Sequence, residues 1–187
     1  EVNKSNNNTS CPISTNYTAA SDNLVFASTQ LAHLNFGTNY VGTKLTSQAT
    51  GKLGNIAYYL GSYNGNAIAT IPLTVEIRKV NSTGTPGDLI ATKTISNVKT
   101  LEQFGWNNLS FADQNIHLVA GQEFFVVLKT GNNANLILVA DAVGNGKTYT
   151  SANGATYAPS TRNAKFRALV YEDLPAVKQL ATSSKTA

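Results

Sequence analysis

The feature that most constrains this chain is a series of short segments, from Lys44 to Tyr171, in which apolar and polar residues alternate. Residues 73–80 (Leu-Thr-Val-Glu-Ile-Arg-Lys-Val) show the alternation, and after a turn with Gly and Pro a second such segment begins at Asp88. Successive side chains of a strand point to opposite faces, so each segment gains one apolar face to bury. Helix-type spacing is nearly absent. The sequence therefore predicts an all-β chain.

Turn chemistry extends this prediction from strands to an architecture. Asn-Gly pairs at 64–65, 145–146 and 153–154 supply residues that tolerate the positive φ angles of tight hairpins. Many short strands joined by such turns are typical of an antiparallel β-sandwich. The predicted strands are Lys44–Thr50, Leu53–Tyr63, Ile68–Val80, Asp88–Ser96, Trp106–Phe111, Ile116–Val119, Glu123–Lys129, Leu136–Ala140 and Ala164–Tyr171.

Composition divides the chain into three parts. Residues 1–40 form a polar N-terminal extension, rich in Asn, Ser and Thr, with one or two strands. Residues 41–171 form the β-sandwich domain, and residues 172–187 form a polar C-terminal tail. In the last strand Lys165 and Arg167 share one face, which we expect to be solvated.

The composition also predicts a compartment. The chain contains no Met, so we expect that Glu1 is not an original start, and with the abundance of Ser, Thr and Asn we expect removal of a secretory signal peptide. We therefore predict an extracellular protein, secreted or at the cell surface. A lone Cys11 allows no internal disulfide. No apolar run approaches the ~20 residues that span a bilayer, so no membrane-spanning segment is predicted.

Residue patterns for catalysis or metal binding are weak. His33 and His117 have no second His or Cys nearby, and no strand-turn-helix motif presents a nucleophile. Residues 144–148 resemble the end of a phosphate-binding loop but lack its first glycine, which favours a hairpin turn. We predict no enzyme, no cofactor and no metal site, although paired carboxylates stay an open alternative among the acidic residues. The net charge of +4 is scattered, which argues against nucleic-acid binding.

Several segments together resemble a known kind of module. These segments are residues 50–60, 84–91, 106–111, 118–128 and 166–170. In them the chain resembles bacterial secreted jelly-roll modules that are similar to carbohydrate-binding domains. The resemblance implies a jelly-roll-like sandwich, and it makes sugar binding one of the expected functions. The extension before Val41 and the tail after Tyr171 lie outside it.

The first functional hypothesis is assembly. We expect a non-catalytic extracellular structural or adhesive protein, a subunit of a surface filament or coat that assembles through terminal strand exchange. An exposed sheet edge is a template for an added strand, and the extension carries Leu24, Val25 and Phe26 as apolar anchors. This hypothesis predicts a homo-oligomer or polymer.

The alternative hypothesis is a carbohydrate-binding module with a glycan as partner. Aromatic rings can stack on the apolar faces of sugars, and the candidate residues are Tyr149, Tyr157 and Trp106. Packing in the core or on a sheet is the competing interpretation of such residues. Asn81 and Asn108 begin Asn-X-Ser/Thr motifs and are candidate glycosylation sites.

Overall fold

The structure, a computed structural model, is an antiparallel β-sandwich, as the alternation of residues predicts. The strands that the structure describes form one eight-stranded sheet, here sheet A, and one six-stranded sheet, here sheet B. The jelly-roll order of connections stays a prediction. The residues that the structure describes are 19–20, 31–35, 40–63, 72–96, 105–130, 136–141 and 144–173.

The described strands are numbered in chain order. They are β1 (Ala19–Ala20), β2 (Leu31–Asn35), β3 (Tyr40–Thr46), β4 (Gly51–Tyr63), β5 (Leu73–Val80), β6 (Pro86–Ile95), β7 (Gly105–Ser110), β8 (His117–Leu118), β9 (Glu123–Thr130), β10 (Leu136–Asp141), β11 (Thr148–Ser151), β12 (Ala158–Pro159), β13 (Asn163–Ala164) and β14 (Phe166–Glu172). In the described ranges the only helical element is the single 3-10 turn Ala112–Gln114, and no helix there is long and apolar enough to cross a membrane.

Sheet A is organised around the long strand β4. One edge of β4 pairs with β8 and β7, and the opposite edge pairs first with β14 and then with β10. The N-terminal strands complete this sheet, because β1 pairs with β14 and β2 pairs with β10. Sheet B has the order β12-β11-β3-β9-β5-β6.

The hydrophobic core lies between the two sheets. The central strands contribute alternate residues, which is the periodicity of a pleated strand with one face toward the core. In β4 the alternating residues Ile56, Tyr58 and Leu60 are core, as are Phe166, Ala168 and Val170 in β14. From sheet A the core includes Leu53, Ile56, Tyr58, Leu60, Phe166, Ala168 and Val170, and from sheet B it includes Val41, Leu45, Val75, Ile77, Phe124, Val126 and Leu128.

Sheet B also carries a second apolar layer on the face that points away from the core. All residues from Phe124 to Leu128 are fully buried, although only alternate ones can face the core. Phe125 and Val127 lie instead beneath the covering turn, which joins β5 to β6 and here includes Pro86 and Gly87 at the start of β6. A Cβ atom on Gly42 would meet Val127 at 3.1 Å and Pro86 of that turn at 3.3 Å. The centre of sheet B is therefore covered on both faces.

Several strands differ in their bounds from the sequence prediction, and two of the differences are informative. No strand is predicted between Ala140 and Ala164, but β11 and β12 lie there, because the polar sequence Thr-Tyr-Thr-Ser shows no clear alternation. The strand predicted to end at Thr50 ends at Thr46. Beyond it the Ser47 hydroxyl donates a hydrogen bond to the Ala49 carbonyl (2.7 Å), which stabilises a bend. The anchors proposed at 24–26 lie outside the described residues.

We expect Phe166→Ala to lower the free energy of unfolding by about 3 to 5 kcal/mol, because the ring is fully buried and its removal leaves a cavity. Urea denaturation monitored by circular dichroism measures this change. Leu89→Ala is the matched control, since Leu89 is 49% exposed, and its effect should stay within about 0.5 kcal/mol. Equal losses in the two variants would contradict the assignment of the core.

Candidate functional site

The three aromatic residues predicted to bind sugar do not form one site. Tyr149 in β11 and Tyr157 just before β12 lie on the outer face of sheet B, the face that points away from the core. Trp106 in β7 lies on the outer face of sheet A, paired with Tyr59. The two outer faces are opposite surfaces of the sandwich, so each is described separately.

On the outer face of sheet B, aromatic rings pack mainly against one another. Tyr149 contacts Phe125 edge to face with 5.5 Å between ring centroids, and Tyr157 contacts Tyr40 in the same manner at 6.5 Å. Tyr157 is only 9% exposed. Its ring therefore offers little surface for a sugar, and packing accounts for its position.

A partly buried ion pair anchors the covering turn to sheet B. Glu76 and Arg78, two positions apart on β5, form an ion pair with 2.6 Å between Nε and Oε2, and their side chains are 8% and 19% exposed. Arg78 Nη1 also donates a hydrogen bond to the Gly87 carbonyl at 2.9 Å. The pair thus connects the sheet to the turn that covers Phe125 and Val127.

The Tyr157 hydroxyl lies in the electrostatic field of this pair. It is buried and has no hydrogen-bond partner among the described residues. Burial raises the pKa of Tyr157 to about 12, and the smaller effects of Arg78 and Glu76 oppose each other. The hydroxyl is consequently protonated at neutral pH, which suits a packed side chain better than an acid-base group.

The outer face of sheet A combines an aromatic pair with a cation. The rings of Tyr59 and Trp106 meet edge to face at 5.5 Å, and the Arg167 guanidinium lies 4.0 Å from the Trp106 ring centroid. Arg167 stands opposite Ala57, which is fully buried although it points outward. The arginine therefore crosses β4 over Ala57 to reach the tryptophan, a cation–π arrangement.

The prediction that Lys165 and Arg167 share a solvated face is wrong for Lys165. Only 4% of Lys165 is exposed. It lies where the chain passes from β13, beside β10, to β14, beside β4, and its carbonyl accepts a hydrogen bond from the Tyr59 amide at 3.2 Å. Its position inside sheet A, rather than at a rim, explains the burial.

At its other end, the outer face of sheet A carries a residue that the sequence analysis missed. Tyr171 is 49% exposed, and its ring lies against Gly54, where a Cβ atom would approach ring atom Cζ to 2.7 Å. An isolated glycine inside a strand pattern indicates such a close approach and is the signal that was available. Lys52 stands opposite Tyr171 on one side and opposite His117 on the other.

His117 is held by an exposed hydrogen bond to Asp173. Its Nε2 lies 2.7 Å from Asp173 Oδ2, just beyond the end of β14. In the part of the chain that the structure describes, no group of three or more His, Cys, Asp or Glu residues could hold a metal ion.

The two candidate glycosylation sites differ in environment. Asn81 organises its own turn, since its Oδ1 accepts hydrogen bonds from the amides of Thr83 and Thr85 at 3.0 and 2.9 Å. Its Nδ2, the atom to which a glycan would attach, donates to the Thr85 hydroxyl at 2.9 Å. Asn108 is exposed on the outer face of sheet A, opposite Ala57. Both assignments stay predictions.

Comparison with known proteins gives no assignment. No protein-family model and no curated protein matches the sequence. The outer faces and the sheet edges are therefore the features on which a function can be based.

We expect Arg78→Met to destabilise the fold by about 3 to 5 kcal/mol, because it leaves the Glu76 carboxylate buried without its cation. The double variant Glu76→Leu, Arg78→Met should recover most of that loss, since neither charge is then buried. A double-mutant cycle from urea denaturation measures both effects. A double variant no more stable than Arg78→Met would show that the charges are not coupled as described.

Proposed function

We propose that this chain is a non-catalytic extracellular structural or adhesive protein whose copies assemble into a filament or coat by terminal strand exchange. The observation that supports this most is the addition of the N-terminal segment to the edge of sheet A. There β1 pairs antiparallel with β14, with Ala19 opposite Ala168 and Ala20 opposite Arg167. An added strand at a sheet edge is the contact that a neighbouring copy could supply.

The described edges of sheet B are poor acceptors of a strand. Along β6 the pairing with β5 is irregular next to Leu89, and Lys93 points inward, where its Nζ lies 2.5 Å from Asp113 Oδ1. At the opposite edge β12 has only two residues, and one of them is Pro159. Irregular pairing, inward charge, short length and proline are the devices by which proteins protect sheet edges. Sheet A is thus the better acceptor.

The contact between β1 and β14 suits exchange between copies. Hydrogen bonds in a β-ladder join backbone groups, so a strand from a second copy can form the same bonds as the strand from the same chain. The connecting stretch 21–30 contains Leu24, Val25 and Phe26, which we propose as the apolar anchors of the exchanged segment. Exchange would then form long assemblies without a further interface.

We expect deletion of residues 1–22 to abolish filaments or coats, because it removes the strand that pairs with β14. Negative-stain electron microscopy and light scattering on the purified protein measure assembly. Leu89→Ser is the control, since it removes an exposed apolar side chain from the edge strand β6, and it should assemble as the parent does. Normal assembly after the deletion would refute strand exchange, and loss of assembly in Leu89→Ser would point to β6 instead.

A second candidate function, carbohydrate binding, is favoured by one observation. Trp106, partly exposed on the outer face of sheet A, lies beside Tyr59 and the Arg167 guanidinium. Aromatic rings with neighbouring hydrogen-bond donors are suited to sugar recognition. Tyr149 and Tyr157 contribute less to this candidate, because their rings pack within the layer on sheet B.

For this candidate we expect Trp106→Ala to weaken glycan binding by about tenfold or more, a loss of at least ~1.4 kcal/mol. A glycan array followed by calorimetry on the bound glycans measures the change. Tyr149→Ala is the matched aromatic control on the opposite face and should bind as the parent does. If Tyr149→Ala loses binding and Trp106→Ala does not, the sugar site is on sheet B.

A further inference from the structure

We propose that the outer face of sheet A binds an acidic polysaccharide, with Tyr171 as a stacking platform and Lys52 as the ligand for a sugar carboxylate. This inference rests on the carbohydrate-binding candidate and is independent of strand exchange. It adds a second contact point, distant from Trp106, and it names the chemical class of the glycan.

The platform is the exposed ring of Tyr171. Among the described residues, the large apolar side chains that are exposed belong to Leu89, Val119 and Tyr171, and Tyr171 is the aromatic one of these. One side of the ring lies against Gly54, so the exposed part of the ring is available to a ligand. A ring supported in this way loses little side-chain freedom when a sugar stacks on it.

The cation beside the platform is Lys52. Directly opposite residues of an antiparallel pair have Cβ atoms about 5 Å apart, so Lys52 flanks the ring at about the width of one sugar unit. Lys52 is exposed and forms no ion pair with any described residue. An ammonium group in this position can bind a carboxylate through a charge-assisted hydrogen bond.

The acidic groups near this row leave Lys52 without an ion pair. The Asp173 carboxylate is hydrogen-bonded to the His117 ring, with 2.7 Å between Oδ2 and Nε2. Glu172 stands opposite Gly51 and, by alternation along β14, points to the other face from Tyr171. The ammonium group of Lys52 is therefore the cation that an acidic ligand would meet beside the ring.

The rest of the outer face supports a polymer rather than a single sugar. Lys52 and Tyr59 lie on the same strand, and at about 3.3 Å per residue the two ends of the face are roughly 23 Å apart. The described side chains between the two ends of the face carry no negative charge. The uncharged ones belong to Asn55, Ala57, Asn108, Ser110 and Leu169, and the cation Arg167 lies at the Trp106 end. A chain of uronic acid units could contact both cations.

The test compares binding of a galacturonic acid oligomer with binding of a neutral oligomer of equal length, by calorimetry at low salt. We expect Lys52→Gln to weaken binding of the acidic oligomer by about tenfold and to leave the neutral one unchanged. Tyr171→Ala should weaken binding of both. Gly54→Ala should resemble Tyr171→Ala, because the new Cβ displaces the ring. Leu89→Ala, at an exposed position of sheet B, is the control and should leave binding of both oligomers unchanged.

Each outcome separates this inference from the candidate on which it depends. If the parent protein binds no glycan, both the carbohydrate-binding candidate and this site are refuted. If Trp106→Ala loses binding while Tyr171→Ala and Lys52→Gln do not, the candidate stands and this site is refuted. If the acidic and neutral oligomers bind equally well to the parent and to Lys52→Gln, the assignment of an acidic ligand is overturned.

Discussion

The two-sided burial of β9 is the constraint on which the rest of the structure depends. Its central residues, Phe124 to Leu128, are fully buried, so sheet B must be covered both by sheet A and by an outer layer. The outer layer consists of the turn with Pro86 and the segment with Tyr157, and the ion pair on β5 ties that turn to the sheet. The central side chains of sheet B are therefore buried on both faces and stabilise the fold.

The two sheets therefore differ in how much of their outer face is exposed. Sheet A buries one face against the core, while its outer face retains partly or fully exposed polar, aromatic and cationic side chains. The same sheet also receives the N-terminal strands at its edges. Both proposed activities therefore fall on sheet A, one on its face and one on its rim.

The core faces of the strands could be predicted from the sequence because they follow from the alternation of residues. The burial of side chains that contact distant segments could not. The core faces of β4 and β14 followed from residues two apart, such as Ile56 and Tyr58. The burial of Tyr157 did not, because its ring packs against Tyr40, which lies more than a hundred positions earlier in the chain. Lys165 was predicted to lie on a solvated face, because its burial also depends on strands that are distant in the sequence. Tyr171 was overlooked because its importance depends on Gly54 in another strand.

The inward lysine of β6 has a consequence for the geometry of an assembly. With that rim protected, a subunit that exchanges strands has one donating segment and one receiving rim, and these are different surfaces. Two copies that exchange strands reciprocally close into a two-fold dimer, but where each copy donates to one neighbour and receives from another, the contacts form a ring or propagate in one direction. Growth would then be polar, with two chemically distinct ends, and one end would always display an unfilled rim.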